Sequence, residues 1–166
     1  MKKIIPICLA LAIVLTGCGS SATVASNEPV ELYFIQETDD NGNESYEYSV
    51  ESDEYKLTAP LEEIRSRGCI IVSADEIKSA EAAYYNSGDQ KEPMVNIQFN
   101  DAGTKLFAEA TQRAVEKDYE TIGIYYDGEF ISVPSVRDTI TDGKCVISGL
   151  ENYEEAAMLA DKLNRK

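Results

Sequence analysis

The chain has 166 residues, with 15 Lys and Arg against 30 Asp and Glu, a formal charge of −15, and neither histidine nor tryptophan. A surface this acidic repels nucleic acid and anionic headgroups, and the lack of histidine removes the commonest general base and metal ligand. The length suits one domain with its own core.

The chain opens Met1-Lys2-Lys3 and runs apolar over 4–15, interrupted by Pro6. That run is too short to span a bilayer, which takes about 20 apolar residues. Its basic flank and its length are those of a signal-peptide core. It ends Leu15-Thr16-Gly17-Cys18, which resembles the lipobox of bacterial lipoproteins. The resemblance implies cleavage between Gly17 and Cys18 and diacylglycerol on Cys18. Residues 1–17 are thus expected to leave as a signal peptide. Buried acyl methylenes, each contributing about 0.8 kcal/mol, would anchor Cys18 to the extracytoplasmic face of the cell membrane. Residues 19–29 are small and polar without periodicity, and read as a tether reaching about 20 Å.

A domain is expected over 30–166. Alternation around Leu32 and Phe34 predicts a strand over 31–36, Asn41-Gly42 a type I′ hairpin, and Tyr46, Tyr48 and Val50 its return strand over 45–50. Leu61 and Ile64 predict a short helix over 58–67, stopped by Gly68. A short apolar strand follows over 69–72. Ser73 and Glu76 form a capping box, so local chemistry starts a helix there, while 80–85 either continues it or becomes a strand. A turn is expected over 86–89. Val95, Ile97 and Phe99 alternate as a half-buried strand, and Asn100 caps a helix whose apolar face carries Phe107, Ala110, Ala114 and Val115. Ile122, Ile124 and Tyr126 alternate up to Asp127-Gly128, a second type I′ signal. The chain returns over 130–133, where Pro134 ends the strand by removing a donor. Asp142-Gly143 turns into a strand holding Cys145, and Gly149 ends it. Asn152 and Glu155 start a final helix with Ala156, Leu159, Ala160 and Leu163 on one face. The second half reads β-α-β-β-β-α, an α+β domain with a largely antiparallel sheet and two main packed helices.

Several blocks, in order, resemble the head subdomain of the first large extracytoplasmic domain of SecD and SecDF, accessory subunits of the bacterial Sec translocon. They are Pro93-Met94-Val95-Asn96-Ile97-Gln98-Phe99-Asn100-Asp101-Ala102-Gly103, then Ile124-Tyr125-Tyr126-Asp127-Gly128 through Pro134-Ser135-Val136. Ile140-Thr141-Asp142-Gly143, Val146-Ile147-Ser148-Gly149 and Glu154-Glu155-Ala156-Ala157 follow. The likeness covers about 56–163, and upstream, at Val72 to Ala80, it favours a strand over 80–85. It implies a non-catalytic module with exported polypeptide or Sec translocon subunits as partners. SecD-like proteins carry membrane helices whose charged residues couple proton flow to motion of the head. No second stretch here approaches spanning length, so a detached head is implied, unable to use the proton gradient alone.

The residues themselves offer little chemistry. Gly103 permits close backbone packing, and Asp127, Gly128, Pro134, Gly143 and Gly149 are turn and strand-end residues. Cys69 and Cys145 read as two small apolar thiols, with a disulfide between them the alternative that an oxidising exterior permits. The serines lack a histidine for triad chemistry. The acidic stretch 37–44 fails both end positions of a calcium-binding EF-hand loop, and reads as a solvated hairpin turn. Tyr46, Tyr48, Tyr84, Tyr85, Tyr125 and Tyr126 lie near predicted strands, as core or rim packing or as a grip on unfolded chain. No cofactor, metal or catalytic residue is expected. A binding module predicts an exposed apolar patch; an envelope enzyme or small-ligand receptor on the same scaffold predicts a concave pocket with convergent polar groups.

Overall fold

A computed structural model describes residues 30–87 and 90–165. The signal-peptide, Cys18 and tether readings, and residues 88 and 89 of the expected 86–89 turn, lie outside the described residues, while 86 and 87 are strand rather than turn. The elements are β1 (Leu32–Gln36), β2 (Tyr46–Ser49), β3 (Glu54–Leu57), α1 (Leu61–Ser66), β4 (Ile70–Ser73), a 3-10 turn (Ala74–Glu76), β5 (Ile77–Ser87), β6 (Gln90–Phe99), α2 (Asp101–Glu116), β7 (Ile122–Tyr126), β8 (Glu129–Ser132), β9 (Lys144–Ile147) and α3 (Tyr153–Asn164). From β6 onward the order is β-α-β-β-β-α. Every strand pairing is antiparallel. The strands form a four-stranded sheet ordered β4-β1-β7-β8, a three-stranded sheet ordered β5-β6-β9, and the β2-β3 hairpin.

The four-stranded sheet buries both faces. Successive strand side chains point to opposite sides, so Leu32 and Phe34 of β1 enter the large core with Val72, Ile122 and Ile124. Tyr33 and Ile35 face a smaller cluster closed by Ile64 of α1, Tyr46 of β2 and Cys69. In the large core the rings of Phe34, Phe99 and Phe107 meet pairwise at centroid distances of 5.5, 5.6 and 4.9 Å. They join β1, β6 and α2, each pair contributing about 0.5–1.5 kcal/mol beyond its buried area. The Asn100 side chain accepts from the Gly103 N–H at 2.8 Å and so caps α2. A Cβ on Gly103 would stand 2.7 Å from Glu76 Cβ, so α2 starts against the 3-10 turn.

Several local readings are corrected. Residues 45–50 do not return along 31–36: β2 pairs forward with β3, and β1 takes β4 and β7 as neighbours. Asn41-Gly42 is not a type I′ turn, which needs positive φ at both residues; of the two only Gly42 has it, at +80°. The stretch is nonetheless the solvated turn expected, with residues 40–44 exposed beyond an antiparallel Thr38–Glu44 bridge, although Asp39 within it is 2% exposed. Its carboxylate accepts from the Asn41 and Asn43 N–H groups at 2.8 and 2.9 Å and from the Asn43 side-chain amide at 2.8 Å. Arg67 stands 3.9 Å away. The capping box at Ser73 and Glu76 is present but serves one 3-10 turn. Ile77 then leaves as a strand, because pairing along almost all of β6 outweighs the helical preference of a short Ala- and Glu-containing segment. The helix expected over 58–67 begins only at Leu61, since the residue before Pro60 is disfavoured in the helical region.

Both sheets end at places set by single residues. At the outer edge of β5 the Asn164 amide donates to the Ala80 carbonyl at 2.8 Å and its oxygen accepts from the Ala80 N–H at 2.9 Å. The carboxamide there stands in for a neighbouring strand. The two sheets approach at Gly149, which has φ +90° and where a Cβ would lie 2.5 Å from the Ile131 carbonyl oxygen of β8. Cys69 and Cys145 are unbridged, and belong to different clusters.

Two tests follow from these contacts. Gly149→Ala combines positive-φ strain with that backbone overlap and should lower stability by about 2 kcal/mol, read as a drop in the thermal midpoint. The Asp39 pKa is held below the usual carboxylate value, first by the Asn43 amide and then by backbone N–H groups and Arg67, against the opposing effect of burial. A depressed folded pKa contributes stability above the unfolded value and loses it as pH falls through the lowered one. Urea midpoints taken from neutral pH to about pH 2 should therefore fall more steeply for the parent chain than for Asp39→Asn.

Candidate functional site

Between the four-stranded sheet, α2 and β9 lies an apolar groove of about 500 Å³. Its floor is Phe34, Ile122 and Ile124 of the four-stranded sheet with Phe107 and Thr111 of α2. One wall is the segment Pro134, Ser135, Val136, Arg137, Asp138 and Ile140; the other is Lys144, Cys145 and Val146 of β9. No β6 residue lines it, so the groove lies beyond the outer edge of β9.

The walls are held by specific bonds. Past β8 the chain stays alongside β7: the Ile122 N–H donates to the Pro134 carbonyl at 3.1 Å and the Val136 N–H to the Glu120 carbonyl at 3.2 Å. Pro134 thus ends the named strand without ending the pairing. Thr111 is fully buried. Its hydroxyl lies 2.9 Å from the Phe107 carbonyl as donor and accepts from the Ile140 N–H at 3.0 Å, pinning the far end of the segment to α2. Val136 fills the floor beneath. Gly143, at φ +70°, turns the chain into β9, and a side chain there would overlap Thr104.

The polar groups do not form a reaction centre. The Thr111 hydroxyl is occupied by backbone, and Arg137, Asp138 and Lys144 are exposed at the rim. Burial pushes the Cys145 thiol up to about 12, against the opposing effect of a hydrogen bond to the Val146 carbonyl. It is therefore protonated at neutral pH and a poor nucleophile or metal ligand. The binding-module reading expected an exposed apolar patch and no pocket; the structure has a concave site, and its lining is mainly apolar. Among the described residues no group of Cys, Asp and Glu is placed to hold a metal ion.

Of the residues singled out from sequence, Pro134 and Cys145 line the groove, Gly143 and Gly149 bound β9, and Gly103 seats α2. Asp127 and Gly128, at φ +50° and +98°, make the tight turn between β7 and β8 at the opposite end of those strands. Cys69 lies in the smaller cluster. Sequence reasoning missed Thr111, Val136, Arg137, Ile140, Lys144 and Val146. Thr111 had a signal, sitting between Phe107 and Ala114 on the apolar stripe of α2; the 134–140 segment has no period. Of the tyrosines, Tyr46 is buried with its hydroxyl 2.9 Å from Thr121 Oγ1. Tyr125 and Tyr126 are half-buried, while Tyr48, Tyr84 and Tyr85 are exposed.

The family model of the SecDF P1 head subdomain matches residues 51–165. Protein translocase subunit SecD of Acidaminococcus fermentans is 35% identical over 103 residues, 62% of this chain and 23% of that protein. SecD of Dictyoglomus turgidum is also 35% identical over 103 residues, 62% of this chain and 24% of that protein. SecDF of Thermus thermophilus is 31% identical over 90 residues, 54% of this chain and 11% of that protein. The chain thus spans about a quarter of the length of the SecD proteins. A solved structure of SecDF, described as a membrane component that enhances protein export, superposes with a TM-score of 0.59 at 22% identity. It covers 92% of this chain and 71% of that one, a likeness of fold. No helix among the described residues is long and apolar enough to cross a membrane. With the family model matching most of the chain and the β-α-β-β-β-α order in place, the chain belongs to the SecDF P1 head subdomain family.

Proposed function

We propose that this chain is a lipid-anchored, extracytoplasmic, non-catalytic head that binds segments of exported polypeptide beside the protein-export machinery. The observation that carries the reading is the apolar groove between the two sheets of a SecDF-head fold. Unfolded polypeptide in transit exposes apolar side chains, and a groove with an apolar floor takes them up through the hydrophobic effect, without demanding one sequence. Most of the groove sits on elements inside the stretch that the family model matches, α2, β7 and β9, with Phe34 of β1 the lining residue outside it. Lipid on Cys18 and the tether of residues 19–29 would hold the head within about 20 Å of the bilayer, near the exit of a translocon. Tethering raises the effective concentration of partners at that surface without new contacts. Translocon subunits are the second partner class, and nucleic acid is opposed by the charge of −15.

A small apolar ligand is the second reading, favoured by a groove volume inside the range of about 300–1,000 Å³ common to ligand sites. Crosslinking in intact cells separates the two. The parent chain should recover exported polypeptides or translocon subunits, and Cys18→Ala, which removes the lipid acceptor, should lose them. Recovery of neither from the parent chain, with an apolar small molecule retained through purification, would replace the export reading with the ligand one.

A further inference from the structure

The three-stranded sheet has two edges, and they are treated differently. On β5 the Asn164 carboxamide takes both outward backbone groups of Ala80. On β9 no described strand pairs with the outer edge. Its polarity follows from the ladder. The Phe99 N–H donates to the Gly143 carbonyl at 2.9 Å, and Ile97 and Val95 lie opposite Cys145 and Ile147. Bonded and non-bonded pairs alternate in an antiparallel ladder, so residues 143, 145 and 147 bond to β6 and the backbone groups of Lys144 and Val146 point outward. The Lys144 N–H is taken by the Asp142 carboxylate at 3.1 Å. The Val146 carbonyl receives only the Cys145 thiol at 3.7 Å. The Val146 N–H, its carbonyl and the Lys144 carbonyl therefore border the groove. On the facing wall Ser135 lies opposite Thr121 in a bridge whose bonds belong to its neighbours, so its own backbone groups also turn away from β7.

Charge narrows the occupant. In a chain with twice as many acidic as basic residues, the lining of this groove carries Arg137 and Lys144 against Asp138, with the Asp142 carboxylate beside them on the Lys144 N–H. Among the described residues neither cation forms an ion pair, which is also true of Lys78, Lys91, Arg113 and Lys162, whereas Lys56, Arg65, Arg67, Lys105, Lys117 and Arg165 each do. Two uncommitted cations beside an open strand edge select locally for carboxylates.

We propose that an extended segment alternating apolar and acidic residues adds as a strand to the outer edge of β9. Its backbone pairs with Val146, its apolar side chains lie over Phe107 and Ile124, and its carboxylates stand beside Arg137 and Lys144. Main-chain bonds supply the affinity and alternate side chains the selection, as in other cases of strand addition. The inference rests on the export reading for the source of the segment, and its chemistry is tested separately.

The test uses the full chain in detergent and three fluorescent nine-residue peptides alternating valine with glutamate, glutamine or lysine. The glutamate peptide should bind about fivefold more tightly than the lysine peptide at low salt, and bound peptide should slow exchange of the Val146 amide. Arg137→Glu with Lys144→Glu should reverse the order. Val146→Pro removes only an outward-facing donor, which an edge strand tolerates, and should abolish binding while the thermal transition is kept. Should that variant unfold, the same loss must appear for a glutamate peptide N-methylated at alternate amides. Equal binding of glutamate and lysine peptides, or an unprotected Val146 amide in the complex, would overturn the proposal. Exported chains crosslinked in cells without Val146 protection would leave the export reading standing and remove strand addition. Protection by the glutamate peptide with no exported chain recovered in cells would do the reverse.

Discussion

Everything in this structure depends on how two sheets share one core. Phe34, Phe99 and Phe107 lock β1, β6 and α2 together at centroid distances of 4.9 to 5.6 Å. The backbone of Gly149 meets the Ile131 carbonyl at the other point of approach. Right-handed strand twist rotates neighbouring strands by about 20–25°, so sheets held at a few points splay elsewhere. The groove is that splay, floored by side chains the core already needs. It exists because β8 and β9 do not pair with one another.

The same arrangement explains why the second face of the four-stranded sheet carries its own cover. A strand such as β1, buried on both faces, needs apolar side chains on both, and Leu-Tyr-Phe-Ile supplies them. The α1 segment and the β2-β3 hairpin then close the far side around Tyr46 and Ile64. Gly123 makes that closure possible: a side chain there would stand 2.5 Å from the Phe130 ring, and Tyr46 crowds the same spot. Asp39 secures the loop leading into the hairpin, its buried charge balanced by three donors and Arg67. This is the usual condition for a charge in a low-dielectric site.

Elements with a strong local signal were legible in the sequence. The α2 and α3 stripes, the Asn100 and Asn152 caps, the Asp127-Gly128 turn and the Val95-Ile97-Phe99 alternation each follow from neighbours a few residues apart. The α+β class followed from their order. What failed were choices between partners. Residues 45–50 carry a strand pattern, but the pattern does not say whether they pair with β1 or β3, and the structure chooses β3. Ser73 and Glu76 describe a helix start correctly, yet only the facing length of β6 decides that the chain extends after one turn. At α3 the expected box is displaced: Asn152 accepts from the Glu155 N–H as a cap, while Glu155 reaches the Glu151 N–H. The groove was illegible for the same reason, since its walls come from segments brought together by sheet edges rather than by spacing.

The groove is also preformed, which bears on what can occupy it. Thr111 fixes Ile140, Glu120 fixes Val136 and β6 fixes β9, so both walls are set by bonds within the chain. Association with such a site orders mainly the incoming segment, and the cost of immobilising protein side chains, about 0.5–1.5 kcal/mol each, is largely avoided. An unfolded chain passing a membrane pays its ordering entropy at each encounter, so contacts to it are weak per unit area. Weak, repeated capture is what the proposed function asks of the groove. A small ligand gains less from two backbone edges, because it has no periodic donors and acceptors to match them. The outward groups of Val146 and Ser135 are thus the feature on which the proposal of a polypeptide site, rather than a generic apolar pocket, rests.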